Sequence, residues 1–393
     1  MNPDSHSYTP ADVSTETSTD ARQTPERTVE DMLSSCAVKG RVSIPRDMRR
    51  GVALLCIVLT VTLLLGSVLV LFGGASMWAF RPLGATSNPE TEGEDNKVVS
   101  PDATYPYADG KMGNAVFSTA IGAKTIDASI LNSSHAVVAS VKDSKIVASL
   151  GADESIYPAS MTKVMTLIVA VEMLPHANSL TDIITISKDV YDRMVAEGSS
   201  GVGFEPGEKL TVEALLYALM LQSDGIAACE LARYVAGSEE AFVELMNQKA
   251  AAMGLSGTHF ENPTGLHHPK HKSTVRNIAS IMAYAMDMQL CRRVLTAESY
   301  KAPCVTADGK QFSYTFYHNL LVKHFEKYQP NQPRDLTVIA GKTGYTGPES
   351  GCCLVTYAQG ADGNDYIVVT TKAAGYPGCI SDYIALYNTY TKP

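Results

Sequence analysis

Tyr157 to Glu172 reads Y-P-A-S-M-T-K-V-M-T-L-I-V-A-V-E, an apolar helix that opens on Ser160 with Lys163 one turn later. Residues three apart share a helix face. A serine hydroxyl is a poor nucleophile until a base takes its proton. A lysine amine held against it can be that base if it is partly neutral. Val164, Met165, Leu167, Ile168 and Val169 follow Lys163, and burying a cation among them lowers its pKa. At a helix N-terminus the peptide dipole favours developing negative charge, and the Ser160 backbone N–H can serve an oxyanion hole. Alone, S-x-x-K recurs by chance. A serine that only caps the helix and a lysine that carries its charge out to water are the plain readings.

Two further stretches change the weighing. Lys342-Thr343-Gly344 lies in V-I-A-G-K-T-G-Y-T-G, a strand-like run. Gly344 has no side chain, so a substrate backbone can approach the strand edge and pair there as an added strand. Lys342 and Thr343 can hold a carboxylate by charge and hydroxyl. Lys342 could also be a second cation that lowers the Lys163 pKa further. Between the two lies Ser223-Asp224-Gly225, after L-L-Y-A-L-M-L-Q. Ser223 would relay a proton from Lys163 to a leaving amine, or would cap a helix from Ile226 onward; both can hold. This ordered set of three motifs resembles that of penicillin-binding proteins and class A β-lactamases.

The remainder of the chain sets the frame. Its 393 residues, 45% apolar and 19% charged, suit one large domain or two ordinary ones. A net charge of −9 argues against nucleic acid as a partner, and no Gly-rich phosphate loop is present. Residues 52–72 carry no charge and follow Lys39, Arg41, Arg46, Arg49 and Arg50. About 20 apolar residues suffice to cross a bilayer, and the positive-inside rule puts the N-terminus in the cytoplasm. A cleaved signal peptide is the rival reading. The expected organisation is a disordered cytoplasmic tail over 1–50, a signal anchor over 51–80, a Pro-rich and acidic linker over 81–118, and a folded extracytoplasmic domain over 119–393. Cys36 and Cys56 fall before or within the anchor. Cys229, Cys291, Cys304, Cys352, Cys353 and Cys379 follow it, and their pairing is open.

Within the folded part, His135–Lys142 and Lys145–Leu150 read as a hairpin, and a helix runs from about Ser160 to Leu174. Thr211, Ser238 and Thr274 can cap helices that end near Leu221, Gly254 and Met288, and another helix runs from near Ile226 to Gly237. Thr337–Lys342, Cys352–Ala358 and Tyr366–Lys372 read as strands, and a helix over about Ser381–Tyr390 closes the chain. Strands at both ends of a helical middle predict an α+β domain with an antiparallel sheet. His267, His268 and His271 in H-H-P-K-H invite a metal, but a polar rim is the simpler reading; neither metal nor cofactor is expected.

From about Ser129 to Lys372 the chain resembles the D-alanyl-D-alanine carboxypeptidases among the low-molecular-mass penicillin-binding proteins. Beyond the three motifs, G-F-E-P-G-E-K-L-T-V-E, H-F-E-N-P-T-G-L-H, S-T-V-R-N-I-A and V-V-T-T-K-A are similar to that family's landmarks. The resemblance implies a five-stranded antiparallel sheet with a helical cluster, of the β-lactamase and transpeptidase kind, here preceded by one transmembrane helix. It implies Ser160 as acylated nucleophile, Lys163 as base and Ser223 as relay. Lys342, Thr343 and Gly344 would bind the substrate, with the N–H groups of Ser160 and Tyr345 as oxyanion hole. The implied partners are peptidoglycan stem peptides ending in D-Ala-D-Ala, with β-lactams as inhibitors.

Two departures stand out. The family usually has Asn where this chain has Gly225, and that side chain holds the substrate amide. Losing one such hydrogen bond costs on the order of 1–3 kcal/mol, unless water or Asp224 substitutes. The chain also ends soon after the catalytic sheet, where many members continue into a β-rich second domain. A catalytically weak penicillin-binding or wall-binding protein, a β-lactamase using Glu261 as deacylating base, and a transpeptidase are the alternatives.

Overall fold

The structure, a computed structural model, describes residues 116–176, 178–328 and 331–391. In chain order its elements are β1 (Ser118–Thr125), β2 (His135–Ser140), β3 (Lys145–Leu150), α1 (Lys163–Glu172), β4 (Ile183–Thr185), α2 (Lys188–Ala196), β5 (Lys209–Thr211), α3 (Val212–Leu221), α4 (Gly225–Ala236) and α5 (Glu239–Ala252). Then come α6 (Val275–Asp287), α7 (Gln289–Leu295), β6 (Ser299–Val305), β7 (Gln311–Tyr317), the single turn α8 (Phe325–Tyr328), β8 (Leu336–Gly344), β9 (Cys352–Gly360), β10 (Asp365–Ala373) and α9 (Tyr376–Tyr390).

The main sheet has the order β1-β3-β2-β10-β9-β8. Successive residues of a strand point to opposite faces, and here both faces are covered. Val137, Ala139, Ile367 and Val369 join the helical core that surrounds α1. Ala136, Val138 and Val368 pack instead with Tyr383, Leu386 and Tyr387 of α9. The neighbours Cys352 and Cys353 divide between the same two cores, as residues adjacent in a strand must. All six described cysteines are buried free thiols.

Local chemistry sets the helix starts. The Thr211, Ser238 and Thr274 side chains each accept a hydrogen bond from the backbone N–H three residues on, at 3.1 Å. This satisfies a donor that the helix itself cannot. Gly237 closes α4 at φ +79°, a conformation that suits glycine.

Three expectations are corrected. The α+β class stands, but the sheet has six strands, not five, and β1 joins β3 in parallel. β1 is a mostly exposed edge strand with a register break near Gly122, so it carries no alternating apolar signal. A second sheet, β4-β5-β6-β7, is also present, two of its strands being only three residues long. Finally, the membrane-spanning helix is not upheld. Among the described residues no helix is long and apolar enough to cross a membrane. The longest, α9, has 15 residues, short of the roughly 20 a span requires. Residues 52–72 lie outside the described residues; the membrane partner and the single-pass location rested on that uncharged run and its basic flank alone, and both are withdrawn.

Candidate active site

Ser160 sits in a tight 3-10 turn, Ala159–Thr162, that feeds directly into α1. The sequence suggested a plain helix start; the turn is instead a 3-10 turn, and two other backbones lie close against it. Ala159 adopts φ +48°, a conformation costly for a residue with a side chain. Gly265, at φ +80°, approaches so closely that a Cβ there would fall on the Ala159 carbonyl oxygen. From the other side a Cβ on Gly344 would lie 3.0 Å from the Ser160 amide nitrogen. Glycine is required at 265 for the backbones to meet, and at 344 it spares the Ser160 turn a tight contact.

Lys163 is buried, and its Nζ donates to Ser160 Oγ at 3.2 Å and to the Thr264 carbonyl at 2.6 Å. Burial lowers its pKa to about 8, against the opposing pull of the Asp224 carboxylate. The Thr264 carbonyl is aimed by its own turn. Asn262 Oδ1 accepts from the Gly265 N–H at 2.7 Å and from the Thr264 N–H and hydroxyl at 3.2 and 2.9 Å. Thr166 Oγ1, one turn along α1 from Lys163, donates to the Pro263 carbonyl at 2.6 Å. The run F-E-N-P-T-G-L thus shapes the lysine's surroundings.

The middle motif turns on Ser223 at φ +59°. Ser223 Oγ accepts from Lys342 Nζ at 2.8 Å, and Lys342 also donates to the Thr343 carbonyl at 2.8 Å. Burial and the charge of Lys163 push the Lys342 amine well below its ordinary range. Ser160 with Lys163 and Ser223 with Lys342 therefore form two bonded pairs in electrostatic reach of each other. Asp224 caps α4: its carboxylate accepts from the N–H groups of Ala227 and Val202, each at 2.8 Å. Fully buried, its pKa is raised by desolvation. So engaged, Asp224 does not stand in for a side chain at Gly225.

Lys342, Thr343 and Gly344 end β8, which is an edge strand, and Tyr345 beyond them is 55% exposed. A cleft of about 650 Å3 opens here. Ser160, Lys163, Ser199, Glu261 and Tyr345 are among its lining residues, while Ser223, Lys342 and Thr343 are buried. Glu261, the β-lactamase candidate, faces His259 at 3.0 Å and His268 at 3.6 Å on the rim. The three histidines of H-H-P-K-H part company. His267 packs on Tyr157 and His268 on Glu261, while His271 is buried against Thr162 Oγ1 at 2.8 Å. Burial drops the His271 pKa to about 3, so it holds the nucleophile turn as a neutral ring.

Against known proteins, the family model described as D-alanyl-D-alanine carboxypeptidase matches residues 122–375, well over half of the chain. The chain belongs to the D-alanyl-D-alanine carboxypeptidase family. Among curated members it is 30% identical over 240 residues to the D-alanyl-D-alanine carboxypeptidase DacF of Bacillus subtilis, covering 59% of this chain and 55% of that protein. With DacC of Escherichia coli it shares 36% over 159 residues, 40% of each chain. The chain thus spans about half the length of the curated carboxypeptidases it matches. Among solved structures, a Streptomyces DD-transpeptidase superposes with a TM-score of 0.57 at 28% identity, covering 66% of this chain and 97% of that one.

In the sequence His271 reads as a rim or metal candidate and Asp224 as part of the middle motif, and nothing there assigns a holding role to them or to Asn262 and Thr264. Thr264 and His271 bond to Lys163 and Thr162 of the Ser160 segment, Asn262 acts through the Thr264 turn, and Asp224 through its loop. The landmark H-F-E-N-P-T-G-L-H pointed at Asn262 and Thr264 without giving them a role.

Proposed function

We propose that the chain is a serine-type D-Ala-D-Ala carboxypeptidase that removes the terminal D-alanine from peptidoglycan stem peptides, with residues 119–393 as its catalytic domain. The observation that carries this reading is the Ser160–Lys163 pair, 3.2 Å apart, with the amine pKa lowered to about 8. A buried amine near neutrality is the base a serine needs.

In this reading neutral Lys163 takes the Ser160 proton, and Oγ attacks the carbonyl carbon of the penultimate D-alanine. The N–H groups of Ser160 and Tyr345 receive the oxyanion. Ser223 passes the proton to the departing amine, the C–N bond breaks, and D-alanine leaves. Water then hydrolyses the Ser160 ester. Lys342 and Thr343 bind the terminal carboxylate, and the peptide lies along the free edge of β8 near Gly344. β-Lactams acylate the same serine.

The test is D-alanine release from a diacetyl-Lys-D-Ala-D-Ala peptide by wild type and Ser160→Ala. Release by wild type that the variant abolishes supports the reading; equal release by both, or by neither, refutes it. Transfer to an amine is a second reading, favoured by the likeness to the Streptomyces DD-transpeptidase. Added glycine would then appear in the peptide product.

A further inference from the structure

Gly225 has surroundings that explain the absence of a side chain and show what stands in its place. The Cβ of any other residue would fall on the Ser199 hydroxyl oxygen, 3.0 Å from Ser199 Cβ and 3.1 Å from Met194 Sδ. The space is filled by a hydroxyl from a different loop. That loop is held firmly. The Ser199 N–H donates to the Met194 carbonyl at 2.9 Å, and the Gly225 N–H donates to the Ser200 carbonyl at 3.0 Å. The Val202 N–H donates to the Asp224 carboxylate at 2.8 Å. At Gly201 a Cβ would lie 2.7 Å from that carboxylate, so the glycine is what lets the loop close on it.

Ser199 lines the cleft together with Ser160 and Lys163. The hydrogen bond its own hydroxyl makes is a long one, 3.3 Å to the adjacent Ser200 carbonyl, and an incoming group can replace it. A serine hydroxyl both donates and accepts, so it can serve either the N–H or the C=O of a peptide. Thr346 and Gly347, just beyond β8, line the same cleft as Gly198, Ser199 and Ser200. A peptide bound along the edge of β8 therefore brings the amides of its acyl half to this loop.

We propose that Ser199 hydrogen-bonds the substrate's peptide amide from the place a side chain at position 225 would otherwise occupy, with Asp224 as the positioning residue of its loop. This rests on the acyl-transfer reading above.

The experiment compares the full-length wild type with Ser199→Ala, Gly225→Asn and the double variant. It reads kcat and KM for D-alanine release, the rate of Ser160 acylation by penicillin, and the thermal midpoint. Ser199→Ala is expected to lower kcat/KM about tenfold, the loss of one hydrogen bond, with the midpoint unchanged. Gly225→Asn alone should lower it further by displacing Ser199. The double variant should recover most of the loss, because an amide side chain then fits the vacated space. Wild-type kcat/KM in Ser199→Ala, or a double variant no better than Gly225→Asn, would overturn the proposal while leaving the enzyme reading intact. A wild type that neither releases D-alanine nor forms a penicilloyl adduct would end both.

Discussion

Gly344 and Ser160 are in backbone contact: a Cβ on the glycine would stand 3.0 Å from the serine's amide nitrogen. The strand that carries the third motif thereby packs on the turn that carries Ser160. Gly344→Ala would also crowd Ala159 Cβ at 3.0 Å and the Met161 nitrogen at 3.3 Å. The turn must shift. Misplacing a reacting group by about 1 Å costs on the order of a hundredfold, and these contacts ask for a few tenths of an ångström, so kcat is expected to fall about three- to tenfold. Steady-state kinetics with thermal melts would check this, since kcat should fall far more than the midpoint.

Lys342 should take up a proton when substrate binds. In the empty site burial and the Lys163 charge hold its amine well below the usual range. A carboxylate beside it favours the ammonium form. Calorimetry on Ser160→Ala with a D-Ala-D-Ala peptide, repeated over a range of pH in buffers of different ionisation enthalpy, should show a net uptake that Lys342→Ala abolishes. Net proton release would contradict the assignment.

Replacing Lys163 should stabilise the fold while silencing the site. Lys163 holds its proton less tightly in the folded chain, at about 8, than at the ordinary 10.5 of an unfolded chain. Between those values the unfolded chain carries more protons, so stability rises with pH. The penalty, up to about 3 kcal/mol for such a shift, is complete below about pH 8 and absent above about 10.5. The stability of Lys163→Met relative to wild type should therefore grow as pH falls through that window and level off below it. Denaturant melts across pH 7 to 11 read the difference directly. A difference independent of pH would mean that Lys163 titrates alike in both states.

Asn262→Ala should weaken both fold and catalysis. The side chain holds four groups of the turn that points the Thr264 carbonyl at Lys163: its Oδ1 accepts from three donors and its Nδ2 donates to the Leu266 carbonyl at 3.0 Å. Leaving them unpaired is expected to cost about 1–3 kcal/mol and to slow acylation about tenfold through the misplaced lysine. Asn262→Asp, which keeps the acceptor oxygen, should recover more of the activity than Asn262→Ala; equal activity in the two would make the residue merely structural.

Elements with a local signal were legible in the sequence. The capped helices begin where Thr211, Ser238 and Thr274 supply an acceptor, and β2, β3, β9 and β10 carry apolar residues on both faces. β1 was not legible, because an exposed edge strand needs no apolar alternation. Nor were β4 and β5, which at three residues are held by their neighbours rather than by propensity. α9 starts five residues before its expected Ser381, since Pro377 fits the first turn of a helix. In the site, Ser160, Lys163, Ser223, Lys342 and Gly344 stood out through spacing and residue type. Ser199 and Asn262 did not, because a loop contact to Gly225 and a turn that aims a carbonyl leave no mark in spacing, and Asp224 reads only as part of the middle motif. The gap at Gly225 was visible; the hydroxyl that fills it was not.

The most direct measurement is the rate at which penicillin acylates Ser160 as a function of pH, with the adduct located by peptide mass mapping. Lys163 can accept the proton only when neutral, so the rate should rise tenfold per unit at low pH and level off above an apparent pKa of about 8. The adduct should map to Ser160. A rate that is flat between pH 6 and 10, or an adduct on another residue, would contradict a Lys163-activated Ser160.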